Sequence, residues 1–368
     1  MGTSRGPLHH RLSTGLRREL GTISFSGPVA SLACRTSLAA VLAVLAALWL
    51  HLENPVWAGI TAFGIIQQDI AASVSRSIDR CLGTIVGAAV GYFGSHFVAQ
   101  HLIFMLICTC SIIFGIYGQE RSRHGYAVLL GAVTVILVMF GSMSNPDSAL
   151  DVAVYRSLEI MVGVVVACFM DYVFGPTGPR VPPPPKPGIF TRPLDEGLLV
   201  IAITGGIAAA AIPIIWEGLQ LPGLSQTPIT AFVIMIGMRR EPAWTAVNRL
   251  AGCVLGGGFG LLCMRIVDDD IVLWLTFMFI GLYVVAHIKH GKGDANYVGY
   301  QAGIAMIMAM VQGFAPSPDI MPAINRLVGI FGGIVVVLVA QALVMPLVAR
   351  AMPYILGRTQ SAPPARDA

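Results

Sequence analysis

Four arginines stand inside apolar stretches, where their charge has to be explained: Arg80, Arg156, Arg249 and Arg326. A cation at the centre of a bilayer costs roughly 2.5 to 3.5 kcal/mol on insertion scales, so something must offset it. The planar guanidinium fork matches a carboxylate, which makes small organic anions the chemistry these residues suit. Trp57 and Phe63 add rings that could stack on an aromatic anion, and Thr61 and Thr230 join the candidate set through a sequence repeat. Glu159 lies three residues after Arg156 on the same helix face. It either neutralises Arg156 or serves as a protonatable coupling group.

Plainer readings compete for the same residues. Arg80 and Arg249 lie one or two turns inside their helices on the side that favours basic residues, so snorkelling to the headgroups explains them equally well. It fits Arg156 and Arg326 less well, because they enter from the opposite side. Trp57 is also a natural interfacial anchor. His287 and His290, beside Lys289 and Lys292, lack a third ligand and are expected to be solvated. Gly291-Lys292-Gly293 lacks the spacing of a phosphate loop. No metal or cofactor is predicted, and no compact His, Cys or carboxylate constellation argues for an enzyme.

The elements that must position these residues are membrane helices. The 368 residues are 55% hydrophobic and 11% charged, against roughly 25% charged in a soluble domain. Apolar runs near the length of a bilayer core fall at 30–51, 56–70, 77–98, 102–118, 126–142 and 152–174. A second set falls at 197–216, 228–238, 244–266, 271–288, 297–313 and 320–348. The expectation is an all-α membrane protein of about 12 spans. Its parts are an N-terminal tail (1–28), a first six-helix half (29–174), a proline-rich linker (175–196), a second half (197–348) and a C-terminal tail (349–368). Pro182 to Pro185 cannot continue a helix, which marks the linker.

Charge along the loops sets the topology. Basic residues gather in alternate loops, at Arg76, Arg121 and Arg123, Arg180 to Arg192, Arg239 and Arg240, Lys289 and Lys292, and the C-terminal tail. The intervening loops carry acids: Glu53, Asp147 and Asp151, Glu217, Asp268 to Asp270, and Asp319. The positive-inside rule then puts both termini and the linker in the cytoplasm. The net charge of +4 is scattered between spans, which excludes a nucleic-acid partner. The seven cysteines have neither zinc spacing nor a disulfide framework and read as packing residues.

A repeat relates the two sets. Thr61-Ala62-Phe63 recurs as Thr230-Ala231-Phe232, and at the same offset Arg80, Gly83, Gly87 and Gly91 recur as Arg249, Gly252, Gly256 and Gly260. The halves are expected to be parallel duplicates. Arg156 with Gly163, and Arg326 with Gly333, echo the same pattern from the other side, so each half could comprise two inverted three-helix units. The glycine series reads as close helix packing ahead of direct ligand contact. The second span of each half is short, a pointer to a broken-helix binding site.

The stretch Arg35 to Gly91, with Pro55, Trp57, Thr61, Gln67, Arg80, Gly83, Thr84 and Gly87, resembles the fusaric-acid-resistance family of aromatic-acid exporters, which is similar to the plant aluminium-activated malate transporters. The second half repeats the signature through Thr230, Arg249 and Gly252. The resemblance implies efflux of aromatic or other organic carboxylates across the bacterial inner membrane, sometimes beside a periplasmic adaptor protein. Many members carry large cytoplasmic domains after each membrane half; here a proline linker and a short tail stand in those places. The expected function is a secondary exporter of small organic anions, with the lipid bilayer as its surroundings and homo-oligomers as candidate assemblies. Its four arginines are expected to point into one cavity between the halves. A passive anion channel, a non-transporting scaffold and a membrane-embedded enzyme are the alternatives.

Overall fold

Several helices start where the sequence supplies a cap or a proline. A computed structural model describes residues 8–143, 145–175, 193–221, 226–239, 241–267, 270–313 and 321–356, and among these no strand occurs. An amphipathic helix α1 (Leu8–Gly21) precedes α2 (Pro28–Trp49), whose start is set by Gly27 at φ 94° and by Pro28, whose missing N–H has no partner to lose there. A short α3 (Val56–Ile65) follows, then α4 (Ile70–Ser95), α5 (His101–Arg121), α6 (Gly125–Gly141) and α7 (Ala149–Phe174). The second set is α8 (Glu196–Leu219), the short α9 (Gln226–Ile236), α10 (Pro242–Val267), α11 (Ile271–His290), α12 (Asn296–Met310) and α13 (Met321–Val339). The last runs through a π-helical turn, Ala340–Val344, into α14 (Met345–Ile355). Asp69, Asp195 and Asp270 cap α4, α8 and α11 by accepting backbone N–H groups of the first turn.

A helix stands at every predicted span, and among the described residues seven stretches are long and apolar enough to cross a membrane. Large apolar side chains cover the outside, among them Val86, Val165 and Leu262, each more than half exposed, as a lipid-facing surface requires. The polyproline run Pro182 to Pro185, Arg240, Asp268, Asp269 and residues 357–368 of the tail lie outside the described residues.

The packing pairs of one set recur in the other. Helix α4 lies on α6 as α10 lies on α12, α3 on α7 as α9 on α13, and α5 on α6 as α11 on α12. The sets also meet reciprocally, α5 against α8 and α11 against α2. Among the described residues the two largest apolar clusters span both sets. One gathers Ile112, Ile116 and Met139 with Ile212, Phe232 and Met235; the other gathers Met278, Leu282, Met306 and Ile307 with Val44 and Phe63. Each core therefore draws on both sets.

Glycine fixes the closest of these contacts. A Cβ at Gly87 would run into the carbonyl oxygen of Gly131, and one at Gly256 into that of Ala302. Gly83 and Gly252 meet α6 and α12 in the same way, and Gly91 and Gly260 face Val138 and Ala309. In lipid, where burying apolar surface gives helices little reason to associate, such close approach supplies the packing attraction. The glycine series is a packing seam, as its spacing predicts.

Candidate anion-binding site

The site is built around the short helices. Arg80 on α4 is buried and turns inward: its Nη2 donates to Thr61 Oγ1 at 3.1 Å and its Nη1 to Tyr126 Oη at 3.3 Å. Arg249 on α10 is buried in the same way and donates through Nε to Thr230 Oγ1 at 3.3 Å. These two arginines bond within the protein, each to the threonine at the equivalent place in its own set. The threonines are held from the other side by glycines. A Cβ on Gly163 of α7 would sit 2.7 Å from Thr61 Cβ, and one on Gly333 of α13 would sit 2.7 Å from Thr230 Cβ.

Arg156 on α7 lies over the Trp57 ring, with Cζ 3.6 Å from the ring centroid. This is close cation–π contact, and it gives Trp57 a role beyond interfacial anchoring. Nη1 of Arg156 is buried without a hydrogen-bond partner. The expected pairing with Glu159 is not formed: among the described residues no ion pair within 4 Å joins them, and Glu159 Oε1 instead accepts the Asn54 N–H at 2.7 Å. The carboxylate serves the turn that leads into α3, whose free N–H groups attract negative charge.

Arg326 on α13, also buried, directs Nε at Cys253 Sγ (3.2 Å), Nη1 at Met308 Sδ (2.9 Å) and Nη2 at Gln301 Oε1 (3.4 Å). The contacts thus group the arginines by set, Arg80 and Arg156 around α3, Arg249 and Arg326 around α9, α10 and α12. A cavity of about 180 Å³ takes in Arg326 and none of the other three. Phe63 is fully buried, and its ring faces Gly303 of α12 and Tyr300.

A polar cluster at the carboxyl end of α3 was not anticipated. Lys289, half-buried in the last turn of α11, donates to the carbonyls of Phe63 and Ile66 and lies 4.8 Å from the Phe63 ring centroid. Arg35 on α2 forms an ion pair with Asp171 on α7 at 3.1 Å, both almost fully buried, and donates to the Gln67 carbonyl at 3.0 Å. The histidines beside Lys289 are not solvated. His287 accepts the Ser24 N–H at 3.4 Å, and His290 Nε2 lies 2.9 Å from Thr36 Oγ1. His287 is buried and His290 half-buried because α2 and the segment after α1 pack over the end of α11. The only advance signal was the shortness of α3, since a helix ending in the interior exposes carbonyls that need donors.

Helices of this length and apolarity, with an apolar outer surface, define a multi-pass helical membrane protein. The model of the Fusaric acid resistance protein family matches residues 31–181, and that of the Fusaric acid resistance protein-like family matches residues 207–340. The chain belongs to the fusaric acid resistance family. It is similar to the p-hydroxybenzoic acid efflux pump subunit AaeB of Musicola paradisiaca, at 25% identity over 62% of this chain and 38% of that protein. The protein of the same name from Edwardsiella ictaluri is 22% identical over 39% of this chain and 24% of its own length. Protein YgaE of Bacillus subtilis is 30% identical over 39% of this chain and 38% of its own. The matched stretch therefore spans well under half the length of each of these relatives. No solved structure matches.

Proposed function

We propose that the chain exports small organic carboxylates, chiefly aromatic ones, across the bacterial inner membrane. It would do so as two six-helix halves related by a pseudo-two-fold axis, each comprising two inverted three-helix units, with both termini in the cytoplasm. The intramembrane arginines are the anion ligands in this reading. The observation that carries it is Arg156, a guanidinium stacked on Trp57 with a buried and unpartnered Nη1. A cation held at membrane depth with donor capacity to spare and an aromatic face beside it matches the two parts of an aromatic acid. The similarity to p-hydroxybenzoic acid efflux pump subunits supports the substrate class. The reciprocal helix pairs support the pseudo-symmetry.

The test is efflux of a panel of aromatic acids from cells lacking their own exporters. Arg156→Ala is expected to reduce export by about tenfold or more, the scale of one lost charge-assisted contact. Arg156→Lys, which keeps the charge and loses the fork, should retain part of it. Wild-type export by Arg156→Ala would remove the basis of the reading. Accumulation against a gradient distinguishes an exporter from a passive channel, which can only equilibrate its substrate.

A further inference from the structure

The two helix sets differ where their packing diverges, and the difference is a hole. Around Arg326, a cavity of about 180 Å³ is lined by Cys253, Gly257, Gly258, Ala305, Met308 and Ala309, among others. The glycine seams align the sets position by position. Gly87 faces Gly131 and Gly256 faces Ala302; Gly91 faces Val138 and Gly260 faces Ala309. By that alignment Gly257, Gly258, Ala305 and Ala309 correspond to Ala88, Ala89, Thr134 and Val138, each of them larger. In the first set the same region is a packed apolar cluster of Ala88, Val138 and Ala153 with Tyr92 and Val152 against it. One repeat is filled and the other is hollow.

The hollow has the dimensions and chemistry of one ligand class. A protein cavity of about 150 Å³ accommodates benzene, so the space beside Arg326 takes a single six-membered ring. Its walls are apolar, with small residues at Gly257, Gly258, Ala305 and Ala309, and its one cation is a guanidinium 94% buried, at 6% exposure. Two of that guanidinium's contacts are to sulfur, a weak acceptor that a carboxylate readily displaces. The cavity opens past Val254 and Gly258, both exposed on the outer face of α10, so a ligand can enter from the bilayer side.

We propose that this cavity is a binding subsite for a one-ring carboxylate, with the carboxylate on Arg326 and the ring over Gly257 and Gly258, and that the first set has no equivalent. The proposal rests on reading the arginines as anion ligands and adds to it a location, a size limit and an asymmetry. Gly257, Gly258, Ala305 and Ala309 are its specificity-determining residues.

The experiment is benzoate binding to the purified full chain in lipid nanodiscs, measured by calorimetry, beside export by the same variants in cells. Ala305→Thr with Ala309→Val copies the first set into the second and should weaken benzoate binding by about tenfold or more. Gly258→Leu should do the same by blocking the mouth; nothing lies within 4 Å of a Cβ at Gly258, so the fold tolerates it. Thr134→Ala with Val138→Ala should leave binding within about twofold, and the three-ring 9-anthracenecarboxylate should not compete. Unchanged benzoate affinity in both second-set variants overturns the subsite, as does competition by the three-ring acid. If wild-type protein exports aromatic acids yet binds no benzoate, the subsite alone is wrong. If it neither binds nor exports them, the anion reading of the arginines fails and the subsite with it.

Discussion

Asp171→Asn is the substitution whose energetic consequence the structure fixes most tightly. The carboxylate lies 3.1 Å from Arg35, with side-chain exposures of 5% for the arginine and 4% for the acid. Desolvation makes such a pair a poor source of net stability, but removing one partner leaves a buried charge uncompensated, which costs about 3 to 5 kcal/mol. Asparagine keeps the shape of the side chain and removes its charge. Arg35 retains carbonyl acceptors at Gln67 (3.0 Å) and Phe174 (3.4 Å), which places the expected loss near the lower end, about 3 kcal/mol. Arg35→Met strands the carboxylate instead and should cost at least as much. The double variant Arg35→Met/Asp171→Leu removes both charges and loses chiefly the hydrogen bonds to carbonyls, about 1 to 2 kcal/mol. It should therefore be more stable than either single variant. Reversible unfolding in mixed micelles, followed by tryptophan fluorescence, measures all four corners of the cycle. Additive losses, with the double variant the least stable of the four, would refute the argument that the pair is energetically coupled.

Three further outcomes follow from the same geometry. With the seven native cysteines replaced, a cysteine at Asp147 should react with an impermeant thiol reagent from outside the cell and one at Arg123 should not; the opposite pattern would invert the topology. Gly256→Leu places a side chain against the Ala302 carbonyl and should separate α10 from α12; a loss of less than about 1 kcal/mol would show the seam to be loose. Lys289→Glu sets a carboxylate against the carboxyl end of α3 and should cost about 2 kcal/mol or more, read as a lower unfolding midpoint; unchanged stability would mean that Lys289 does not cap α3.

The helix positions were legible because lipid imposes long apolar runs, and the runs from 30–51 to 320–348 each coincide with a helix. The equivalence of Arg80 with Arg249 and of Thr61 with Thr230 was legible from one shared offset, but an offset between sets does not show which residues touch within a set, so the bond from each arginine to its threonine was not. Nor was Lys289. A lysine beside two histidines and a glycine at a helix end has the composition of a solvated loop, and only the burial of α11 under α2 shows otherwise. The Arg35–Asp171 pair was hidden for the same reason, because its members sit near the ends of two spans far apart in sequence. The contact between Arg156 and Glu159 was expected from helical spacing alone. Spacing brings two residues to one face; it does not say whether a backbone N–H, here that of Asn54, will reach the acid first.

The two helix sets also separate what a repeat must keep from what it can change. Where backbone meets backbone, at Gly87 and Gly256, any side chain would force the helices apart, so both copies hold glycine. The same holds where Gly163 and Gly333 press on Thr61 and Thr230, and each threonine in turn receives its arginine. These positions are tied to the packing and cannot vary alone. One helical turn away, Thr134 and Val138 against Ala305 and Ala309 differ by only a few heavy atoms, and Val138 and Ala309 meet Gly91 and Gly260 chiefly through their side chains. A change of that size leaves the helices where they are and opens or closes a ring-sized space beside an arginine. Duplication thus lets one copy keep the close packing that holds the helices together while the other gives up some of its side-chain packing to form a cavity.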